Sequence, residues 1–149
     1  MTNTVQCVTI DANSDSYQLT LKLRETVLRT PLGLTLSKED TEFDHQHLHI
    51  GAFNEGQLIG CVVIAPLKNE QGIFRIRQMA INDECQGQGV GRALVLSAEN
   101  IVKQQNGKRI VLDARVSAQG FYEALSYTVI SEPFIHKTIA HIIMEKQFV

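Results

Sequence analysis

The spacing of apolar residues changes several times along the chain, and each change marks an element. Val5–Ile10 alternates apolar and polar positions and predicts a short strand. Asn13-Ser14-Asp15-Ser16 then supplies turn and N-cap chemistry. From Tyr17 the period lengthens: Leu19, Leu23, Val27 and Leu28 predict an amphipathic helix over 16–29, stopped by Pro31 and Gly33. Residues 30–44 read as a loop with one helical turn near Ser37–Thr41. Leu48–Phe53 and the Val- and Ile-rich Gln57–Pro66 read as strands joined by the Asn54-Glu55-Gly56 turn. Ile73–Ile81 is a further strand, followed by a polar, glycine-rich loop over 82–91. A long helix over 89–105 follows, with Val90, Leu94, Ser97 or Ala98, Ile101 and Val102 facing inward. Ile110–Ala114 predicts a buried strand and Ala118–Leu125 a short helix. Two strands, near Thr128–Ser131 and Ile139–Lys146, close the chain. The order β-α-β-β-β-α-β-α-β-β predicts one α/β domain over 1–149 with a mixed sheet.

Composition narrows the function classes. The 149 residues are 44% apolar and 20% charged, which excludes disordered and low-complexity architectures. Lys+Arg number 14 and Asp+Glu 16, a net charge of −2, which argues against non-specific nucleic-acid binding. The cysteines, Cys7, Cys61 and Cys85, lack paired metal-ligand spacing and point to a reducing, cytoplasmic compartment. No apolar run reaches the ~18 residues of a membrane span, and Met1-Thr2-Asn3-Thr4 lacks the basic and apolar regions of a leader.

The chemistry-bearing segment is Gln86-Gly87-Gln88-Gly89-Val90-Gly91-Arg92, placed after a strand and at the start of a helix. The first turn of a helix exposes unpaired N–H groups and the positive end of the dipole. Glycines there let phosphate oxygens approach the backbone. The spacing fits neither G-x-G-x-x-G nor the Walker loop, whose Lys would stand where Arg92 does. It fits Q-x-x-G-x-G. A bare glycine turn ahead of a helix is the plainer alternative.

Gln86–Gly91 resembles the acetyl-CoA diphosphate loop of the GNAT superfamily of N-acetyltransferases. Gln78-Met79-Ala80-Ile81 is similar to the strand end that precedes that loop. Ala118-Gln119-Gly120-Phe121-Tyr122-Glu123-Ala124-Leu125-Ser126-Tyr127 resembles the family's A-x-x-F-Y-x-x-L-G-F signature, with Ser126 for Gly and Tyr127 for Phe. The resemblance, over nearly the whole chain, implies the GNAT fold: a mixed, mostly antiparallel sheet with splayed central strands, flanked by helices. It implies transfer of an acetyl group from acetyl-CoA, as co-substrate, to a primary amine of a small molecule or peptide by direct attack.

The resemblance also assigns residues. Met79, Ala80 and Ile81 would pair through their backbone with the pantetheine arm, and an N–H there, that of Ile81 foremost, would polarise the thioester carbonyl. Gln86, Gly87, Gln88, Gly89, Val90, Gly91 and Arg92 would hold the diphosphate. Tyr122 matches the position that protonates the departing thiolate in many members. Where many members carry a carboxylate base this strand carries Arg75, so the base stays open among Asp113, His47, His49, Glu84 and a water.

Strand alternation would set Arg75, Arg77 and Met79 on one face, where the two guanidinium groups either make ion pairs in solvent, the plainer reading, or clamp an anionic substrate if that face lines the acceptor cleft. His45, His47 and His49 would share another strand face, yet lie too far apart along it to hold one metal ion, and no metal is expected. Cys85 reads as inert. The other functional readings are a non-catalytic CoA-binding sensor, kept open by Arg75, and a nucleotide switch, disfavoured by the missing Walker lysine. A homodimer through the C-terminal strands is left open.

Overall fold

The computed structural model describes residues 5–148, so the reading of Met1–Thr4 lies outside the described residues. The strands are β1 (Gln6–Ile10), β2 (Leu48–Asn54), β3 (Gln57–Pro66), β4 (Ile73–Ile81), β5 (Arg109–Arg115), β6 (Thr128–Val129), β7 (Phe134–His136) and β8 (Ile139–Gln147). The α-helices are α1 (Asp15–Arg24), α2 (Lys38–Thr41), α3 (Val90–Gln104) and α4 (Gln119–Glu123). Hydrogen bonding orders the strands β1-β2-β3-β4-β5-β8-β6, with β7 also on β8. Of the strand pairs with a described register, β4–β5 is parallel and the others antiparallel. Residue contacts divide the chain into two compact units, one holding the stretch to Ala65 with Gln78–Ala98, the other Pro66–Arg77 with the stretch from Glu99 onward.

In the first unit, Glu55 and Gly56 turn β2 into β3 with φ of 52° and 78°, the left-handed pair that suits a two-residue hairpin. β3 is buried along most of its length, as its unbroken apolar run requires. Val90, Leu94, Val95 and Ala98 of α3 are each at most 1% exposed. Gly60 lets this helix come close. A Cβ there would lie 3.0 Å from Val90 Cγ1 and 3.1 Å from Leu94 Cδ1.

The predicted helix over 16–29 is α-helical only to Arg24, and Glu25–Arg29 widens into a π turn. Thr30–Leu32 follows as a 3₁₀ turn, closed by Gly33 with φ 72°. Residues 45, 47 and 49 do not share a strand face. Asp44–Gln46 is a 3₁₀ turn and β2 begins only at Leu48. His45 and His49 instead stand against the Tyr17 ring, at 6.2 and 5.3 Å between centroids.

In the second unit, β5 lies between the start of β4 and the long β8. β7 was not predicted. Its turn to β8 is made by Lys137 and Thr138, both at positive φ, and neither residue signals such a turn in sequence.

Ser126 also holds a left-handed φ, 75°, in the place where the family signature carries Gly. A non-glycine residue there costs roughly 1–2 kcal/mol, partly offset by the lower entropy of its unfolded chain. Ser126→Gly should therefore raise stability by about 0.5–1 kcal/mol, read from the midpoint of urea unfolding.

Candidate active site

The loop between β4 and α3 is built for close approach. Asn82 accepts a hydrogen bond from the Glu84 N–H at 3.0 Å and starts a 3₁₀ turn over Asp83–Cys85. Gln86 donates from Nε2 to Asp83 Oδ1 at 3.2 Å, tying the loop to that turn. Gly87 and Gly89 follow with φ of 79° and 82°, and a Cβ on either would meet nothing within 4 Å. Their freedom serves the backbone conformation and leaves open space above it. Helix α3 then begins, with Gly89 O accepting from Ala93 N at 3.0 Å. By helix geometry the first N–H groups, those of Val90, Gly91 and Arg92, have no carbonyl within the helix. A diphosphate fits this donor set, and the loop's residues 86–89 are exposed to receive it. Met79, Ala80 and Ile81 lie in the same unit, directly before the loop.

Just ahead of them, β4 is kinked. Gln78 takes a φ of 49° inside the strand, a costly conformation for a non-glycine residue. The kink ends the simple alternation that would have placed Arg75, Arg77 and Met79 on one face.

A buried polar network that sequence reasoning missed holds the kink. Arg24 Nε donates to Gln78 Oε1 at 2.7 Å, and Gln78 Nε2 donates to Asp40 Oδ1 at 3.1 Å. Arg24 also donates to Asp44 Oδ2 at 2.7 Å and to the Asp40 carbonyl at 3.0 Å. Tyr17 donates to Asp44 at 2.5 Å, and Arg29 closes on Asp40 at 2.8 Å. The Arg24 and Asp44 side chains are fully buried. Arg24 and Arg29 stand within an apolar-periodic stretch, whereas Asp40 and Asp44 lie in a polar one, and charged residues in either setting read as surface.

Burial alone would raise the Asp40 carboxyl. The Arg29 guanidinium and the Ser37 N–H outweigh it and hold Asp40 well below the usual carboxylate range. A depressed folded pKa lends stability that is complete above the unfolded value of about 3.9 and drains as pH falls below it. Wild-type stability should therefore drop by about 1.4 kcal/mol more per pH unit below pH 4 than that of Asp40→Asn. Urea unfolding of both proteins between pH 5 and 2 reads this difference.

In the second unit, Tyr122 of α4 is 8% exposed and burial pushes its phenol up to about 12. It therefore keeps its proton throughout the neutral range. Its ring meets Tyr127 edge-on at 5.8 Å. Where the family carries Phe, Tyr127 adds a hydroxyl, and that hydroxyl donates at 2.9 Å to Glu99, a carboxylate 3% exposed on the inner face of α3. Lys146 Nζ completes this group at 3.1 Å from Glu99.

The candidate bases are placed differently. His49 is 3% exposed, with Nε2 at 2.8 Å from the Asp44 carbonyl, so its buried ring serves the fold. His47 stands beside the Phe43 ring. Glu84 is exposed in the loop before Gln86. Asp113 is paired with Arg75 at 2.8 Å on the surface, so Arg75 is not a free anion clamp. Cys61 is buried and its thiol pushed up to about 12 by desolvation. No cluster of three or more His, Cys, Asp or Glu suited to a metal ion occurs among the described residues, and no helix there is long and apolar enough to cross a membrane.

Comparison with known proteins agrees with this geometry. A provisionally named acetyltransferase of Bacillus subtilis is 31% identical over 129 residues, 85% of this chain and 86% of that protein. The crystal structure of Escherichia coli ElaA superposes with a TM-score of 0.83 at 18% identity, covering 97% of this chain and 100% of that one. A GNAT family acetyltransferase from Elizabethkingia anophelis, solved with acetyl-CoA bound, superposes at 0.72 with 19% identity, covering 97% and 98%. Residues 34–148 match the acetyltransferase (GNAT) domain family. With its glycine loop opening α3, its parallel β4–β5 pair and this match, the chain belongs to the GNAT acetyltransferase family.

Proposed function

We propose that this protein transfers the acetyl group of acetyl-CoA to a primary amine by direct attack. The observation that carries the reading is the exposed Gly87–Gly89 turn delivering the free N–H groups of Val90, Gly91 and Arg92 at the start of α3. These groups would take the diphosphate, with the Arg92 guanidinium available to it. The backbone of Met79–Ile81 would pair with the pantetheine arm, and one N–H, Ile81's foremost, would polarise the carbonyl. Bound acetyl-CoA supplies an activated thioester carbon; the amine forms a C–N bond as the C–S bond breaks. Tyr122 fills the family's position for the donor to the departing sulfur. Its phenol at about 12 is a weaker acid than a thiol, whose ordinary value is about 8.5. It therefore acts chiefly by hydrogen-bonding the sulfur anion as charge develops.

Isothermal titration with acetyl-CoA and CoA, followed by thiol release in the presence of an amine panel, tests the reading. Tyr122→Phe should lower kcat about 10- to 100-fold, the worth of one hydrogen bond to a charged group. Failure of both CoA and acetyl-CoA to bind overturns the reading.

A sensor role is the second reading, favoured by Arg75 standing where many members carry a carboxylate and closing on Asp113. Binding without thiol release from any amine would select it. The unpaired thiols of Cys7, Cys61 and Cys85 support a cytoplasmic setting.

A further inference from the structure

The first unit holds a cavity of about 340 Å³ that shares no residue with the glycine loop or with Met79–Ile81. Ligand pockets usually measure about 300–1,000 Å³, so this one suits a small molecule. Two chain segments wall it. Leu21 and Lys22 of α1, with Glu25 of the π turn, form one side, and Leu36 and Lys38 form the other. Each side thus brings one leucine and one lysine. At about 100° per helical residue, Leu21 and Lys22 lie to one flank of the row Tyr17, Thr20 and Arg24. That row is buried and reaches Asp44 and Gln78. The cavity therefore opens on a different face of α1 from the one that clamps the β4 kink.

The two sides are fixed before any ligand arrives. Glu25 Oε2 accepts the Leu36 N–H at 2.9 Å and ties one side to the other. Next to Leu36, Ser37 donates its N–H to Asp40 Oδ2 at 2.9 Å, and its hydroxyl accepts the Asp40 N–H at 3.3 Å. Asp40 is itself pinned by Arg29 and Gln78. Walls held in this way lose little freedom when a ligand binds. The lysines are the unmatched charges. Lys22 and Lys38 are exposed, and neither has an ion pair or hydrogen bond among the described residues. Glu25, three residues from Lys22, is turned to the Leu36 N–H instead. The lining is thus two leucines with an ammonium on either side and one carboxylate already engaged.

From this we infer that the cavity is a binding site for a short aliphatic dicarboxylate. Each ammonium takes one acid group as a point charge, and the methylenes between the two acids cover Leu21 and Leu36. A monocarboxylate would leave one lysine unmatched. Inorganic phosphate carries charge but no carbon skeleton for the leucines. A diacid without an amine cannot accept an acetyl group on nitrogen, so it is a ligand in its own right and not the acceptor. The site does not rest on the transfer reading above.

Calorimetry of the full chain with succinate and glutarate tests the site. Both diacids should bind, and butyrate, succinamide and inorganic phosphate should bind at least 10-fold more weakly. Lys22→Gln and Lys38→Gln should each weaken succinate binding about 10-fold, the worth of one hydrogen bond to a charged group. Both lysines are exposed, so the thermal midpoint of the ligand-free variants should stay at the wild-type value. Glu25→Gln keeps an acceptor for the Leu36 N–H, removes the negative charge of the lining and should tighten binding. No heat with either diacid, equal binding of butyrate or phosphate, or an unchanged affinity in either lysine variant overturns the site. Saturation with acetyl-CoA should leave succinate binding unaltered, and displacement of succinate by acetyl-CoA would move the diacid to the diphosphate loop and overturn the cavity assignment. If acetyl-CoA gives no heat while succinate binding still depends on Lys22 and Lys38, the transfer reading fails and the cavity site stands.

Discussion

Arg24→Met should destabilise the protein by about 3–5 kcal/mol, the loss seen when one partner of a buried ion pair is removed. Arg24 is fully buried and supplies hydrogens to three partners, Asp44, Gln78 and the Asp40 carbonyl. Methionine fills much of the same volume and supplies none. Asp44, fully buried too, would keep Tyr17 as a donor but lose its charge partner. Lysine would keep the charge without the fork that reaches three acceptors in different directions, so Arg24→Lys should recover only part of the loss. Urea unfolding of the single variants and of Arg24→Met with Asp44→Asn reads the effect. The double variant should lose less than the sum of the singles, because Asn carries no charge to strand. The same substitution frees Gln78 from its clamp, next to Met79–Ile81. On the proposed reading, the KM for acetyl-CoA should therefore rise as well. A loss below about 1 kcal/mol would show that the network does not hold this unit together.

Gly89→Glu should weaken acetyl-CoA binding about 100-fold or more. Two costs add. A side chain at φ 82° is strained by roughly 1–2 kcal/mol, and its carboxylate would stand against the diphosphate. Like charges about 4 Å apart repel by about 4 kcal/mol at the effective dielectric of a protein surface. Gly89→Ala carries the strain without the charge and should lose about 10-fold at most. Because a Cβ at this position meets nothing within 4 Å, both variants should fold. Calorimetry with acetyl-CoA, beside the thermal midpoint of the ligand-free proteins, separates the two costs. Equal affinity of Gly89→Glu and the wild type would remove the diphosphate from this loop.

The elements that the sequence predicted well are those whose own side chains dictate them. β3 falls on its expected bounds because its run of Val, Ile and Leu admits little else, and β4 because Ile73, Phe74, Ile76, Met79 and Ile81 lie between two polar, glycine-bearing turns. α3 is within one residue of expectation at each end, set by Gly89 before it and Asn106-Gly107 after it. The glycine loop was legible for the same reason: left-handed backbone and close approach select a residue type.

What sequence reading missed depends on partners distant in the chain. Glu99 on α3 reads as a solvated charge, yet Tyr127, 28 positions on, and Lys146, 47 positions on, draw it inside. Gln78 holds its left-handed conformation through Arg24, 54 residues away. β7 exists because β8 offers it an edge, and that places Phe134 and His136 against His141. Residue types and local spacing thus determined the long helix α3, the main strands and the glycine turn before α3, since those follow from short-range sterics and amphipathic period. Tertiary structure alone decided which charges are buried, where β4 kinks and which lysines flank the cavity beside α1. Burial and pairing energies of that kind arise only when remote segments meet.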